Sequence, residues 1–330
     1  MTASRARPVV VTGSSGFVGA NLAAGLAARG ARVIALGSPS GIDWRTRSLP
    51  GIERVRLDLS RDQDVHAFVT ETQPLAIFNC AAYGAYSVQA DPRRIFDVNV
   101  LGVRRLLDAA RGVPGFQAFV QAGSSSEYGF NCAAPREDAA TEPDSDYAVS
   151  KVAATALVRL YAQKHGVPAF VLRLYSAYGP FEDFSRLIPR LLSTAHEGKF
   201  PPLVNPNISR DFVYVDDVVR AFHAVWERAP QLTPGEVFNI GTGVRTSLKE
   251  LVDVVRSLYG VEAEPQWGSM PERSWDHDAW YANPEKAADR LGFRTSTSLA
   301  DGLLATRQWL GQNPELVEEG RTKTVLEIKR

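Results

Sequence analysis

The sequence predicts an α/β fold, a parallel sheet wound on both faces by helices, with a smaller lobe built from the later part of the chain. Three observations carry that prediction. The 330 residues are a little over twice one domain's length, taken as roughly 150 residues. Up to Arg173, short β-branched runs alternate with longer amphipathic stretches, the pattern of parallel strands joined by crossover helices. Beyond Arg173 the alternation breaks down, and Pro180, Pro189, Pro201, Pro202 and Pro206 punctuate a loop-rich region.

In chain order, the expected strands are 8–12, 32–36, 53–57, 76–79, 118–122 and 169–173, and the expected helices 16–29, 62–72, 93–111 and 145–165. The first strand, with Val9, Val10 and Val11, reads as the continuous apolar run of a strand buried on both faces. Strand and helix signals return at 211–226 and 237–240, and 248–258 reads as a helix. The segment 265–284 is rich in Trp, Asp and Pro, and the charged stretch 312–330 is expected to pack loosely. Residues 1–173 with about 211–242 would form the dinucleotide domain. About 174–210 with 243–330 would form a substrate lobe over the carboxyl ends of the strands, where doubly wound sheets bind ligands.

Composition excludes several classes. Hydrophobic residues make up 45% and charged residues 22%, against a disordered or fibrous chain. The 37 Lys and Arg balance the 37 Asp and Glu, so no net positive field collects nucleic acid or anionic lipid. Two cysteines, Cys80 and Cys132, are too few for a stapled secreted domain and point to a reducing cytoplasm. Residues 1–7 enter the first apolar stretch without a signal-like segment, and Lys151 and Arg159 break the most apolar later segment, so no membrane span is expected. The five histidines are scattered without ligand spacing, so no metal is expected.

Thr12-Gly13-Ser14-Ser15-Gly16-Phe17-Val18-Gly19 follows the first strand and opens a helix. Gly13 and Gly16 allow a tight turn and close approach to a pyrophosphate, Gly19 lets helix pack on strand, and the helix N-terminus offers free N–H donors. That context makes the turn a Rossmann-type dinucleotide site rather than a plain loop. The second strand ends at Gly37-Ser38 without the acid that usually holds the adenosine 2′-hydroxyl. Ser38 with Arg45 or Arg47 could hold a 2′-phosphate instead, which favours NADP(H) over NAD(H). Asp58, at the end of the third strand, could accept from an adenine amino group or cap the following helix.

Tyr147 and Lys151 stand at i and i+4 on one helix face, where the ammonium stabilises a phenolate able to exchange protons with a sugar hydroxyl. Alone this spacing is common. The order of signals is more specific: the phosphate turn, Asn99 within a helix, Gly123-Ser124-Ser125-Ser126-Glu127-Tyr128-Gly129 after a strand, then the Tyr–Lys pair. Later come Arg173-Leu-Tyr-Ser-Ala-Tyr-Gly-Pro180, Arg210-Asp-Phe-Val-Tyr-Val-Asp216, Phe238-Asn-Ile-Gly-Thr-Gly243 and Arg273. In this arrangement nearly the whole chain resembles the extended short-chain dehydrogenase/reductases of the NAD-dependent epimerase/dehydratase family, which remodel nucleotide sugars.

The resemblance implies that Tyr147 is the acid/base, that Lys151 tunes it and holds the nicotinamide ribose, and that Ser124, four residues before Tyr128, hydrogen-bonds the reacting sugar oxygen, with Ser125 as fallback. It implies a cofactor surface of Gly13, Ser15, Gly16, Phe17, Val18, Ser38, Asp58, Leu59, Cys80, Ala81, Ala82 and Asn99, with Tyr147 and Lys151, and makes Cys80 a small buried residue rather than a nucleophile. On the substrate side it implies Ser125, Ser126, Tyr175 and Ser176, with Arg210 and Arg273 gripping the nucleotide diphosphate. Asn239 and Asp216 look structural. The helices 93–111 and 145–165 match those through which relatives form homodimers, although their apolar spacing fits intrachain packing equally.

Departures narrow the reaction. Dehydratases of the family carry an acidic pair directly after the catalytic hydroxyl residue. Here Ser125 and Ser126 stand there and Glu127 is one step out of register. Double epimerase-reductases place a Cys and a His where Ser126 and Arg186 stand. Two reactions survive: reduction of a 4-keto sugar nucleotide by NADPH, which the missing acid favours, and 4-epimerisation on a retained NAD. A non-catalytic dinucleotide sensor is the alternative outside enzymes.

Overall fold

The structure is a computed structural model that describes residues 6–328 except 87 and 271–276. In chain order the strands are β1 (Val9–Thr12), β2 (Val33–Gly37), β3 (Ile52–Arg56), β4 (Ala76–Asn79), β5 (Ala118–Ser124), β6 (Ala169–Leu174), β7 (Ser176–Tyr178), β8 (Ser209–Arg210), β9 (Phe212–Tyr214), β10 (Val237–Ile240) and β11 (Thr246–Ser247). The helices are α1 (Phe17–Ala28), α2 (Asp62–Thr72), α3 (Pro92–Phe96), α4 (Gly102–Ala110), α5 (Asp146–His165), α6 (Leu187–His196), α7 (Val215–Arg228), α8 (Leu248–Tyr259), α9 (Glu285–Leu291), α10 (Leu299–Gln312) and α11 (Pro314–Ile328).

Seven strands form one parallel sheet in the order β10-β6-β5-β4-β1-β2-β3, a Rossmann-like fold. The order turns back between β1 and β4, which opens a crevice at their carboxyl ends where such sheets take ligands. Helices cover both faces, with Val10, Ile34, Ile77 and Phe119 buried on one and Val9, Val11, Phe78 and Val120 on the other. The expected strands and helices of this half lie within two residues of the observed ones, except that the helix expected over 93–111 is α3 and α4 joined by a π turn at Asp97–Leu101.

The second core gathers α6, α8 and α10 through Leu191, Leu192, Leu251, Val252, Val255 and Leu303. Helix α8 begins in a capping box of Ser247 and Glu250 and ends at Gly260 with φ 65°, which satisfies orphan groups at its start and lets the chain leave in the left-handed region. Residues 280–293 instead pack into the sheet's own core, through Trp280, Ala282, Ala287, Leu291 and Phe293.

The tail corrects an expectation. Its charged stretch docks as α11 rather than packing loosely, because Gly320 admits two rings. A Cβ there would lie 2.6 Å from Phe184 and 2.9 Å from Trp44. Glu319 pairs with Arg47, and Arg321 donates to Ser193 Oγ at 3.1 Å. Among the described residues no helix is long and apolar enough to cross a membrane, and Cys80 and Cys132 are unpaired.

Candidate active site

The phosphate turn is built from backbone. Gly13 has φ +64°, and a Cβ on it would lie 2.6 Å from the backbone of Cys80 and Ala81, so the turn exists only with glycine there. A Cβ on Gly19 would lie 2.3 Å from Gly13 O, which is how closely α1 crosses β1. No side chain caps Gly16 and no acidic residue sits in the first turn of α1, so the helix presents open N–H donors and its positive end to the crevice. These features fit a dinucleotide pyrophosphate. Ser15, Phe17 and Val18 lie on this turn, and Asn21 Nδ2 ties Phe17 O to Pro180 O at 3.0 and 2.9 Å.

The arginines expected to flank Ser38 are engaged elsewhere. Arg45 is buried in the 3₁₀ turn Asp43–Arg45, donating from Nε to Phe181 O at 2.7 Å and from Nη1 to Ser15 O at 2.9 Å. Arg47 pairs with Glu319 on α11. Beside Ser38 stands Arg56, whose Nη1 donates to Ser38 O at 3.0 Å and Gly41 O at 2.6 Å while Nη2 pairs with Asp43 at 2.6 Å. Asp58 caps no helix. It accepts from Ser60 N at 2.9 Å, and that N–H, with the Ser60 side chain, holds its carboxyl below the ordinary range. Leu59 is buried against α4, and its carbonyl accepts from Arg105 at 3.1 Å.

The sugar side is built from side chains. At the ends of β1 and β4 and midway along β5, Thr12 bonds Asn79 Oδ1, Asn79 Nδ2 donates to Gln121 Oε1 at 2.7 Å, and Gln121 Nε2 donates to Ala122 O at 3.0 Å. The same Ala122 carbonyl accepts from Lys151 Nζ at 2.9 Å. Sequence reasoning missed Asn79 and Gln121. The signal was available: each is a polar residue directly after an apolar run, Asn79 at the end of β4 and Gln121 after Ala118-Phe119-Val120 within β5.

Ser124 ends β5 and caps the 3₁₀ turn Ser125–Tyr128 in a capping box with Glu127. Its Oγ shares a hydrogen bond with Ser126 Oγ at 2.8 Å. Ser125 is buried and accepts from Trp280 Nε1 at 3.1 Å. Glu127 is buried and fully used: it accepts from Ser124 N at 3.0 Å, Thr155 Oγ1 at 2.8 Å and Arg173 Nε at 2.9 Å.

Tyr147 lies in the first turn of α5, whose Ser145 cap accepts from Ala148 N at 3.3 Å. Lys151 Nζ stands 5.6 Å from the Tyr147 ring centroid, one turn on. Asn99 lies in the π turn and is buried, with Nδ2 donating to Tyr83 O at 2.8 Å and Ser150 Oγ at 2.9 Å, while Oδ1 accepts from Tyr83 N at 2.8 Å. Both amide hydrogens are thus spent bracing the 80–84 loop against α5, so the side chain expected at the cofactor acts first as that brace. Burial pushes the Cys80 thiol up to about 12, which fits a packing residue and no nucleophile. Ala81 N donates to Thr12 Oγ1 at 3.3 Å, and Ala82 is exposed.

On the substrate side, Tyr175, between β6 and β7, is buried and packs in the sheet's core, and its N–H donates to Ile240 O at 3.1 Å. Ser176 is half-buried and its N–H donates to Asp211 O at 2.9 Å. Arg210 lies over the Trp280 ring at 5.0 Å and donates to Ser209 O at 2.7 Å. Arg273 lies outside the described residues.

Asn239 is structural, accepting from Tyr128 Oη at 2.7 Å and donating to Pro135 O at 2.9 Å. Asp216 is exposed, and its neighbour Asp217 carries the structural role by accepting from Ser296 N and Thr297 N at 3.1 and 3.0 Å. Sequence reasoning also missed Asp211, which accepts from Thr242 N, Gly243 N and Ala282 N at 2.8, 2.9 and 3.1 Å. It missed Glu182 too, a buried acid pushed up to about 8 by burial, with Arg186 pulling it the other way.

Residues 9–241 match the model of the NAD dependent epimerase/dehydratase family. The chain is 36% identical to dTDP-glucose 4,6-dehydratase of Streptomyces griseus over 216 residues, which is 64% of this chain and 63% of that protein. It is 31% identical to UDP-glucose 4-epimerase of Mycolicibacterium smegmatis over 90% of this chain and 96% of that one. Among solved structures, MoeE5 in complex with UDP-glucose and NAD superposes with a TM-score of 0.81 at 29% identity, covering 93% of this chain and 99% of that one.

Proposed function

The chain belongs to the NAD dependent epimerase/dehydratase family, and from that premise we propose that it interconverts nucleotide-diphosphate sugars epimeric at carbon 4, using NAD that stays bound. One observation carries the reading: among the described residues, no free acid stands beside Ser124. The dehydratase pair would occupy 125 and 126, where serines stand. Ser125 receives an indole N–H, and Glu127 is committed to Ser124 N, Thr155 and Arg173. Loss of water needs an acid at the sugar, so hydride chemistry without elimination remains. The engagement of Arg45 with backbone carbonyls and of Arg47 with Glu319 supports NAD over NADP.

The residues divide the work. Gly13 and the uncapped end of α1 receive the pyrophosphate. Lys151, anchored on Ala122 O, sets its charge beside the Tyr147 ring and stabilises the phenolate. The Tyr147 phenolate takes the sugar hydroxyl proton as that oxygen becomes a ketone, and returns it after the sugar has turned in the cleft. Ser124 Oγ exchanges its Ser126 partner for the same oxygen. When bound, the nicotinamide supplies the acceptor and donor of hydride at the sugar carbon.

A second reading, an NADP(H)-dependent 4-keto sugar nucleotide reductase, is favoured by Ser38 in the place of an acid at the end of β2. We also propose a homodimer through residues 93–111 and α5, supported by the exposed Leu101 of the π turn and Val149 and Leu160 of α5, and, from the unpaired cysteines, a cytoplasmic setting.

The first experiment denatures freshly purified protein and identifies released dinucleotide by mass spectrometry. Near-stoichiometric NAD or NADH is expected. Released NADP(H), or an empty protein stabilised far more by NADPH than by NADH, overturns the epimerase reading in favour of the reductase. Tyr147→Phe is expected to cut turnover by about 10²- to 10⁴-fold with dinucleotide binding intact, and unchanged turnover would sink the mechanism.

A further inference from the structure

Trp280 connects two parts of the cleft that the proposed reaction uses separately. Its indole N–H donates to Ser125 Oγ at 3.1 Å, and the two residues are 8% and 7% exposed. Its backbone N–H donates to Ser209 Oγ at 3.2 Å, Ser209 Oγ donates in turn to Asp278 O at 2.7 Å, and Ala282 N donates to Asp211 at 3.1 Å. The segment around Trp280 is therefore bonded on both sides to residues 209–211. The ring lies 5.0 Å from the Arg210 guanidinium and 5.8 Å from the His277 ring. One side chain thus touches the arginine assigned to the nucleotide diphosphate and the residue next to Ser124.

We infer that Trp280 is a positioning residue that links occupation of the diphosphate end of the cleft to the placement of Ser124. The inference rests on the nucleotide-sugar reading of the cleft. Ser124 Oγ both shares a hydrogen bond with Ser126 Oγ at 2.8 Å and accepts from Ser126 N at 3.2 Å, so its direction follows the 3₁₀ turn it caps. Ser125 is the first residue of that turn, and the indole fixes it. An anion drawn to Arg210 pulls on a guanidinium packed against the same ring. A small shift of that ring moves Ser125 Oγ, and through the turn it moves the hydroxyl that must meet the sugar oxygen. The loss of catalysis from misplaced groups is steep, which makes one buried hydrogen bond a sensitive control.

The test follows the indole N–H resonances of the six tryptophans in ¹⁵N-indole-labelled holoprotein, with Trp280 assigned by the signal lost in Trp280→Phe. Two shifts are expected at that resonance: one on titration with UDP, and one in Ser125→Ala without ligand. In kinetics with UDP-glucose, Trp280→Phe and Ser125→Ala are each expected to lower kcat about tenfold with KM little changed, and the double variant to lose no more than either. A Trp280 resonance that stays in place while UDP moves other indoles overturns the inference and leaves the function standing. Silence of all the indoles toward millimolar UDP and dTDP alike would remove the nucleotide-sugar reading and the inference with it. Ser125→Ala keeps the test open should Trp280→Phe not fold, because its effect on the indole signal reads the same bond.

Discussion

The two walls of the crevice are made of different material. The dinucleotide wall is backbone: a left-handed Gly13, a Gly19 that lets α1 approach, and helix N–H groups left uncapped. The sugar wall is a network of side chains: Thr12, Asn79, Gln121, Lys151, and the Glu127 hub with Thr155 and Arg173. A backbone wall recognises what all dinucleotides share. A side-chain wall can be changed one residue at a time, so the outcome of the reaction is decided there. The same division explains why Ser125, Ser126 and Glu127 separate this chain from the dehydratase pattern while its phosphate turn separates it from nothing in the family.

The comparison is tested most severely at Arg173. Its guanidinium and the Glu127 carboxylate are 4% and 0% exposed, and Arg173→Met leaves a buried charge uncompensated. We expect a loss of about 3–5 kcal/mol by denaturant unfolding. Arg173→Met combined with Glu127→Gln should recover part of it, because the charge then goes while an amide oxygen is left to accept a hydrogen bond. If the single variant costs no more than a surface change, the sugar wall is not held by this hub and the contrast collapses.

The next largest effect tests the other wall. Gly13→Ala puts a Cβ 2.6 Å from the Cys80 backbone at φ +64°, with no flexible atom to yield. About 1–3 kcal/mol of stability should be lost, together with at least a tenfold drop in dinucleotide affinity by calorimetry. The drop should be alike for NAD and NADP, because a backbone cradle reads only the pyrophosphate.

Much of the backbone wall was legible in the sequence because its information is local: a strand, three glycines and a helix start lie within a dozen residues. The side-chain wall was legible only in part. Tyr147 and Lys151 meet within one helix turn, but Asn79 meets Gln121 across 42 positions and Trp280 meets Ser125 across 155. No periodicity records such partners. Asp216 was misread for a related reason, since a motif match names a position but not the direction in which its side chain leaves the backbone. Arg45 is the plainest case: it lies near Ser38 in sequence, yet its 3₁₀ turn aims it at Ser15 and Phe181.

A smaller effect concerns the buried acid Glu182, which follows β7. Burial raises Glu182 to about 8 from an ordinary 4.5, so the folded protein holds a proton on this group that the unfolded chain has already lost. Below about pH 4.5 both states are protonated and the group is neutral to stability. As pH rises toward 8 the unfolded state binds fewer protons, and stability falls with pH across that window. Glu182→Gln removes the ionisable group, so its melting temperature should exceed that of the wild type by several degrees at pH 8.5 and match it near pH 4.5. A gap that stays constant with pH would assign the effect to packing rather than to the proton.

The smallest effect sharpens the cofactor assignment at the edge of the backbone wall. Arg47 lies near enough to Ser38 in sequence to be taken for a 2′-phosphate ligand, but it pairs with Glu319, and 58% of its side chain is exposed. An exposed pair of this kind is worth about 0–1 kcal/mol, so Arg47→Ala should scarcely change stability. If Arg47 reads no phosphate, the ratio of NADPH to NADH affinity should also stay the same, and calorimetric titration of both dinucleotides measures it. A fall in NADPH affinity alone would mean that Arg47 leaves Glu319 when the cofactor arrives. The edge of the backbone wall would then be read by a mobile side chain, and the reductase reading would gain a second cation near Ser38 beside Arg56.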